Sequence, residues 1–200
     1  MRSSTTEPSP NGDTVMRSGS STSEPTLAGA GSAPRPISDA AYTPTPRPTP
    51  CAVTTHLSLR HAWRDIELGC PIGQGQDNLS TAYAPFAGGQ MLWRGDTGAI
   101  YVLYNDGRWE RYDDRWREGD PDYTCGEAAT PPTPRRGFGR VWCDDEAVRA
   151  ALGAVTADEI GDSAGSVQEF VNGTLILSPD GSTFVLVGET GTWRRVLPGE

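Results

Sequence analysis

Apolar positions along the chain fall into two regimes. Up to residue 50 they are sparse and scattered among Ser, Thr, Pro and Gly, whereas beyond it they gather into short runs divided by turn chemistry. Four runs follow one another at 82–86, 90–94, 99–104 and 108–112. The stretches between them are Ala87-Gly88-Gly89, Gly95-Asp96-Thr97-Gly98 and Asn105-Asp106-Gly107, the last a strong hairpin signal. This pattern predicts an antiparallel meander of four short strands. The third run is apolar at every position, which predicts a strand covered on both faces.

The pattern then recurs. Shifted by 84 positions, residues 68–112 fall on 152–196 without a gap, and eight residues coincide. They include Leu68/Leu152, Gly69/Gly153, Phe86/Phe170, Gly89/Gly173, Gly107/Gly191 and Trp109/Trp193, residue types with strict geometric roles. Ahead of the second copy, Asp144 is expected to cap a short helix with Asp145 and Glu146 in its first turn. Ala147, Val148, Ala151 and Leu152 form its apolar stripe, and Gly153 ends it. Residues 58–69, with Trp63 and Ile66, are expected to do the same for the first copy. One meander cannot cover both faces of its own third strand. The expected fold is therefore mainly β with short helices (α+β), in which two tandem helix-plus-four-stranded-meander repeats pack as one domain. The copies span about 56–125 and 138–197 within a domain of residues 51–200.

Leu68-Gly69-Cys70-Pro71, followed by Phe86, Gly89, Met91-Leu92-Trp93 and Ile100-Tyr101-Val102-Leu103, loosely resembles the LGFP-type repeats of bacterial cell-surface proteins. The signature of those repeats is an L-G-x-P step and then an F-x-x-G-x-I-x-W strand. The second copy departs from it, reading Leu152-Gly153-Ala154-Val155 and carrying Leu177 where Trp93 stands. The resemblance implies a tandem accessory module that attaches or positions an envelope protein at the wall. It implies no catalytic residue.

Composition sharpens the picture. In residues 1–50, 30 positions are Ser, Thr, Pro or Gly, so this segment is expected to be a disordered tail. It ends in the stiff Thr43-Pro44-Thr45-Pro46-Arg47-Pro48-Thr49-Pro50 spacer. The tail is charge-balanced, so the formal −9 belongs to residues 51–200. That acidity argues against a nucleic-acid partner. All 17 basic residues are Arg, which removes Schiff-base and phosphate-loop lysine chemistry. No apolar run approaches the roughly 18 residues of a membrane helix, and no leader is visible at the start of the sequence.

Cys51, Cys70, Cys125 and Cys143 contain no C-x-x-C pair, so a zinc ribbon or a redox dithiol is not expected. Four cysteines allow three connectivities. Cys51–Cys70 with Cys125–Cys143 is favoured, because each bond would staple an approach segment to the start of one copy. The alternative is four reduced thiols in a cytosolic protein. Arg94-Gly95-Asp96 spells an adhesion tripeptide, but its aspartate recurs as Asp180 without the tripeptide, so a turn-forming role is expected. Glu110, Asp113, Asp114, Glu118, Asp120 and Asp122 lack the spacing of a calcium loop and read as a solvated acidic edge. His56 and His61 have no metal-motif partner, and no serine sits in a G-x-S-x-G elbow. No metal or cofactor is expected. Trp109 and Trp193 are shared by both copies and are assigned to the core or its rim. Trp93, Tyr104 and Trp116 are not shared and are the candidates for an exposed platform on which a sugar ring stacks.

The resulting expectation is a non-catalytic, disulfide-stabilised extracellular or cell-surface module, for interaction or envelope anchoring, whose partner is a cell-wall glycan or a surface protein. The alternative is an envelope hydrolase using a carboxylate pair near Glu118. A cytoplasmic partner-binding module would follow if the thiols were free.

Overall fold

Eight strands pair in one antiparallel sheet in the order β4-β3-β2-β1-β5-β6-β7-β8. They are β1 Gln76–Phe86, β2 Gly89–Arg94, β3 Ala99–Tyr104, β4 Trp109–Asp113, β5 Ile160–Phe170, β6 Gly173–Leu177, β7 Thr183–Val187 and β8 Thr192–Val196. Among the described residues only a 3₁₀ turn (Leu57–Leu59) and the short helices α1 (Asp65–Leu68), α2 (Arg136–Asp144) and α3 (Glu146–Leu152) interrupt this β architecture. The computed structural model describes residues 50–122, 125, 132–188 and 190–199, so the expected tail lies outside the described residues. The protein is therefore mainly β with a few short helices.

Each half of the sheet is a four-stranded meander, and the two join along β1 and β5. Both joining strands run 11 residues and begin well before their apolar stretches. Gln76, Asp77, Asn78 and Ser80 are exposed, so hydrophobic alternation alone does not announce this extension. The sheet curls until its outer strands nearly meet. At the seam Trp109 N donates to Gly191 O (3.2 Å) and Trp193 N to Gly107 O (2.9 Å). The two indoles repeat the exchange, Trp109 Nε1 donating to Val187 O (3.2 Å) and Trp193 Nε1 to Tyr104 O (2.8 Å). The shared tryptophans thus latch an almost closed barrel.

Strand alternation sorts the apolar residues into three clusters. Leu92, Tyr101, Leu103, Val167, Ile176, Phe184 and Leu186 point inward from both halves and fill the interior. On the outer face of the first half, Met91, Ile100, Val102 and Tyr104 meet Phe138 and Val141 of α2 and Val148 and Leu152 of α3. On the outer face of the second half, Leu175, Val185 and Val187 meet Leu59, Ala62 and Leu68. β3 is buried at all six positions because it faces the interior on one side and the helices on the other.

The cover of each half comes from the segment preceding the other half. Ala87 N and Gly88 N donate to Ala154 O and Leu152 O, while Val171 N and Asn172 N donate to Cys70 O and Leu68 O. Gly89 and Gly173 make this fit possible. A Cβ at Gly89 would strike the Leu103 carbonyl and Leu152, and one at Gly173 would strike the Leu186 carbonyl and Leu68. Trp63 Nε1 and Trp142 Nε1 then cap the equivalent carbonyls of Gly69 (3.1 Å) and Gly153 (2.9 Å).

Three expectations need correction. The offset of 84 is not gapless in space: Ile100 lies opposite Trp93, whereas Thr183, not Phe184, lies opposite Leu177. β7 therefore matches β3 one residue earlier than the ungapped alignment has it. The slip is necessary, because Phe184 and Leu186 must point inward as Tyr101 and Leu103 do. The cap of α3 is Asp145, not Asp144; its carboxylate accepts from Ala147 N (3.0 Å) and Val148 N (3.1 Å). Asp144 instead closes α2, a helix the sequence pattern did not announce. The expected first-copy helix is only the 3₁₀ turn and the single turn of α1, and Ile66 is 96% exposed rather than part of an apolar stripe.

Cys51 is bonded to Cys70 and Cys125 to Cys143. Two disulfides mark an oxidising or extracellular environment. Among the described residues no helix is long and apolar enough to cross a membrane.

Candidate functional site

A cleft of about 780 Å³ opens on the outer face of the first half, beside the start of α2. Its floor is a cross-strand row running through four strands: Ile100 opposite Trp93, Trp93 opposite Ala82, and Ala82 opposite Gly161. The small residues Ala82 and Gly161 leave room beside the large indole. Trp93 itself lies over Gly95, where a Cβ would come within 2.8 Å of the ring. The turn glycine is thus part of what seats the tryptophan.

One wall is the segment leaving β4, with Asp114 and Trp116, and the opposing rim carries Asp158, Glu159 and Asp162. Asp114 Oδ1 accepts from Trp116 N (2.9 Å), fixing the turn that carries the indole. The Arg136 guanidinium sits over the Trp116 ring, 5.3 Å from its centroid. Arg136 has a φ of +52°, in the left-handed region that a non-glycine side chain enters only at a cost. Its N–H is held by Asp122 O at 2.6 Å. Both arginines of the cleft are engaged by one carboxylate, Arg135 Nη2 lying 2.6 Å and Arg136 Nε 3.7 Å from Asp122.

Four polar atoms on residues of this lining are buried without a hydrogen-bond partner: Thr81 Oγ1, Trp93 Nε1, Trp116 Nε1 and Glu159 Oε2. Buried polar groups are ordinarily satisfied, and their orphaning costs stability, so four on one cleft mark a place where the fold does not satisfy itself. Burial pushes the Glu159 carboxyl above the usual carboxylate range. Arg136 and Arg135 oppose that shift, and Asp122 and Asp114 add to it.

The three expected platform residues do not stay together. Trp93 and Trp116 line the cleft, half-buried. Tyr104 is elsewhere, only 5% exposed in the helix-covered core, with its hydroxyl donating to Glu110 (2.9 Å) and the Arg108 guanidinium over its ring. Burial, then the Glu110 contact, raises its phenol pKa. It is not an exposed platform residue.

Of the acids after Trp109, only Asp114 reaches the cleft. Glu110 accepts from Tyr104 and lies 2.9 Å from the Tyr112 hydroxyl, Asp113 pairs with Arg111, and Asp120 pairs with Arg140. Glu118 is exposed. Sequence reasoning missed Glu159, Asp158 and Asp162, which sit in an unremarkable polar stretch before and within β5.

Two further clusters were candidates for chemistry. Arg94, 3% exposed, pairs with Asp96 (2.7 Å) and reaches across the halves to Glu169 (2.5 Å). Burial alone would lower the Arg94 pKa, but the hydrogen bonds it donates to Asp96 and Glu169 overturn that and hold it above its ordinary value. The same bond holds Asp96 below the usual carboxylate range. The Arg-Gly-Asp arginine and aspartate thus bind each other, which withdraws the tripeptide from adhesion. His56 Nδ1 lies 2.9 Å from Ser58 Oγ and His56 Nε2 2.9 Å from Asp77 Oδ2. This relay ties the segment after Cys51 to β1, and none of its members lines the cleft.

Among the described residues no group of three or more His, Cys, Asp or Glu side chains is placed to hold a metal ion. Comparison of the chain with protein-family models, with curated proteins and with solved structures gave no match.

Proposed function

We propose that the chain is a duplicated, non-catalytic module of the cell surface that fastens its protein to envelope glycan, with a sugar ring received between Trp93 and Trp116. The observation that carries this reading is the convergence of both indoles on one cleft, each with an unsatisfied N–H. Aromatic faces match the C–H faces of a pyranose. The cleft volume lies within the range of small-ligand sites. The two disulfides and the Thr-Pro spacer suit an extracellular module held away from its neighbours. Reciprocal covering of the two halves supports descent by duplication, and the LGFP-type resemblance fits the same assignment.

One observation favours a second reading, a carboxylate-pair hydrolase. Glu159 and Asp114 both line the cleft, and a carboxyl with a raised pKa is what a general acid requires. A glycan array and retention on isolated cell walls separate the two. The binding module is retained without shortening any oligosaccharide, and Trp93→Ala or Trp116→Ala each weaken retention about tenfold, equivalent to about 1.4 kcal/mol. Unchanged retention of both variants removes the aromatic site, and steady release of shorter sugars replaces binding with hydrolysis.

A further inference from the structure

We infer that the cleft selects a glycan bearing a free amine, a de-N-acetylated amino sugar, with Glu159 as the counter-charge. This rests on the glycan reading above and names the sugar class.

Four carboxylates stand on the lining, from Asp114, Asp158, Glu159 and Asp162, against two guanidiniums. Both guanidiniums lie against Asp122, and Arg136 also covers the Trp116 face. The carboxylates differ in how they are satisfied. Asp114 accepts from Trp116 N and Asp162 from Ala164 N, whereas Glu159 Oε2 is buried with no donor. A desolvated carboxylate in a cleft that also carries two indoles is complementary to an ammonium, which donates a charge-assisted hydrogen bond to the carboxylate and is attracted by a ring face. An acetamide offers one neutral N–H and an acyl group to accommodate, and an acidic sugar meets four like charges. An amino sugar satisfies the orphaned oxygen and leaves its C–H face for Trp93.

The test is calorimetric titration of the whole protein with a β-1,4-linked glucosamine tetramer and with its fully N-acetylated counterpart, near pH 6 where the amines carry charge. The expected result is at least tenfold tighter binding of the amine form by the wild type, a preference that shrinks as salt is raised. Glu159→Gln keeps the shape and removes the charge, so it should bind the two tetramers alike. Its thermal unfolding at pH 7 should be no lower than wild type, which separates lost selectivity from lost folding. Trp93→Ala should lose affinity for both. Equal wild-type affinities, or a preference that survives Glu159→Gln, overturns the amine assignment and leaves the glycan reading standing. Failure to bind either tetramer, together with no retention on cell walls, overturns both.

Discussion

The two meanders share a plan and differ in what lies on their outer faces. The second half is roofed by residues 57–68, drawn down by Leu59, Ala62 and Leu68. The first half is roofed by α2 and α3, and at its edge the roof stops short and leaves the Trp93 cleft. Where the first half has Trp93 between Ala82 and Ile100, the second has Leu177 between Ser166 and Thr183. Leu177 packs into its local core. The connection between the halves also falls on one side only, bringing Trp116 and Arg136 to the first. The two halves thus agree in strand order and in how they are covered, and the proposed site sits where they differ.

The largest test of that symmetry is the exchanged cover. Leu68 and Leu152 are each fully buried, each against the half they do not precede. Leu68→Ala and Leu152→Ala should each destabilise the protein by about 2–5 kcal/mol in urea denaturation. Similar costs sharpen the comparison, and a negligible cost at either site breaks it. Next come the disulfides. Replacing Cys51 and Cys70, or Cys125 and Cys143, by Ser should cost about 3 kcal/mol in each case, because the closed loops are nearly the same length. The halves should then part in function. Cys143 lies in the last turn of α2, whose first residues line the cleft, so only the second pair should also weaken the proposed glycan binding.

The smallest effect concerns the caps. Asp145 caps α3 through its side chain, while His56, at the corresponding end of the 3₁₀ turn, makes no such bond. Asp145→Ala should cost about 1 kcal/mol near neutral pH. The hydrogen bonds from Val148 N, and then from the Tyr112 hydroxyl and Ala147 N, hold this carboxyl below the usual carboxylate range. Its folded-state pKa is depressed, so its contribution is complete above the ordinary aspartate value of about 4 and is lost as pH falls through the depressed one. Denaturation at about pH 6 and again well below pH 4 should show the gap between wild type and variant closing.

Much of the fold was legible because short apolar runs stood between strong turn signals, and each turn glycine is where the chain turns. The slip at β7 was not, since Phe184-Val185-Leu186-Val187 is uniformly apolar and carries no mark of which residues face inward. α2 was hidden by Gly137 and Gly139, poor helix formers. They are kept because a Cβ at Gly137 would crowd Asp114 and Ile100, and one at Gly139 the Pro134 and Asp122 carbonyls. Of the site, two aromatic residues could be picked out because they are unshared. Its carboxylates could not, because Glu159 lies 43 residues beyond Trp116 in sequence and joins it only through the sheet. Tyr104 was misjudged because being unshared says nothing about which way a strand residue points.

The exchanged cover also bears on how the molecule could come apart. Neither meander carries the lid that seals it, so a chain cut down to one half would present a bare greasy surface beside an idle leader. The cheapest remedy for such a fragment is the leader of a sister fragment, which turns truncation into reciprocal dimer formation. In the intact chain the same arrangement makes each half the other's chaperone and favours loss of structure in a single step.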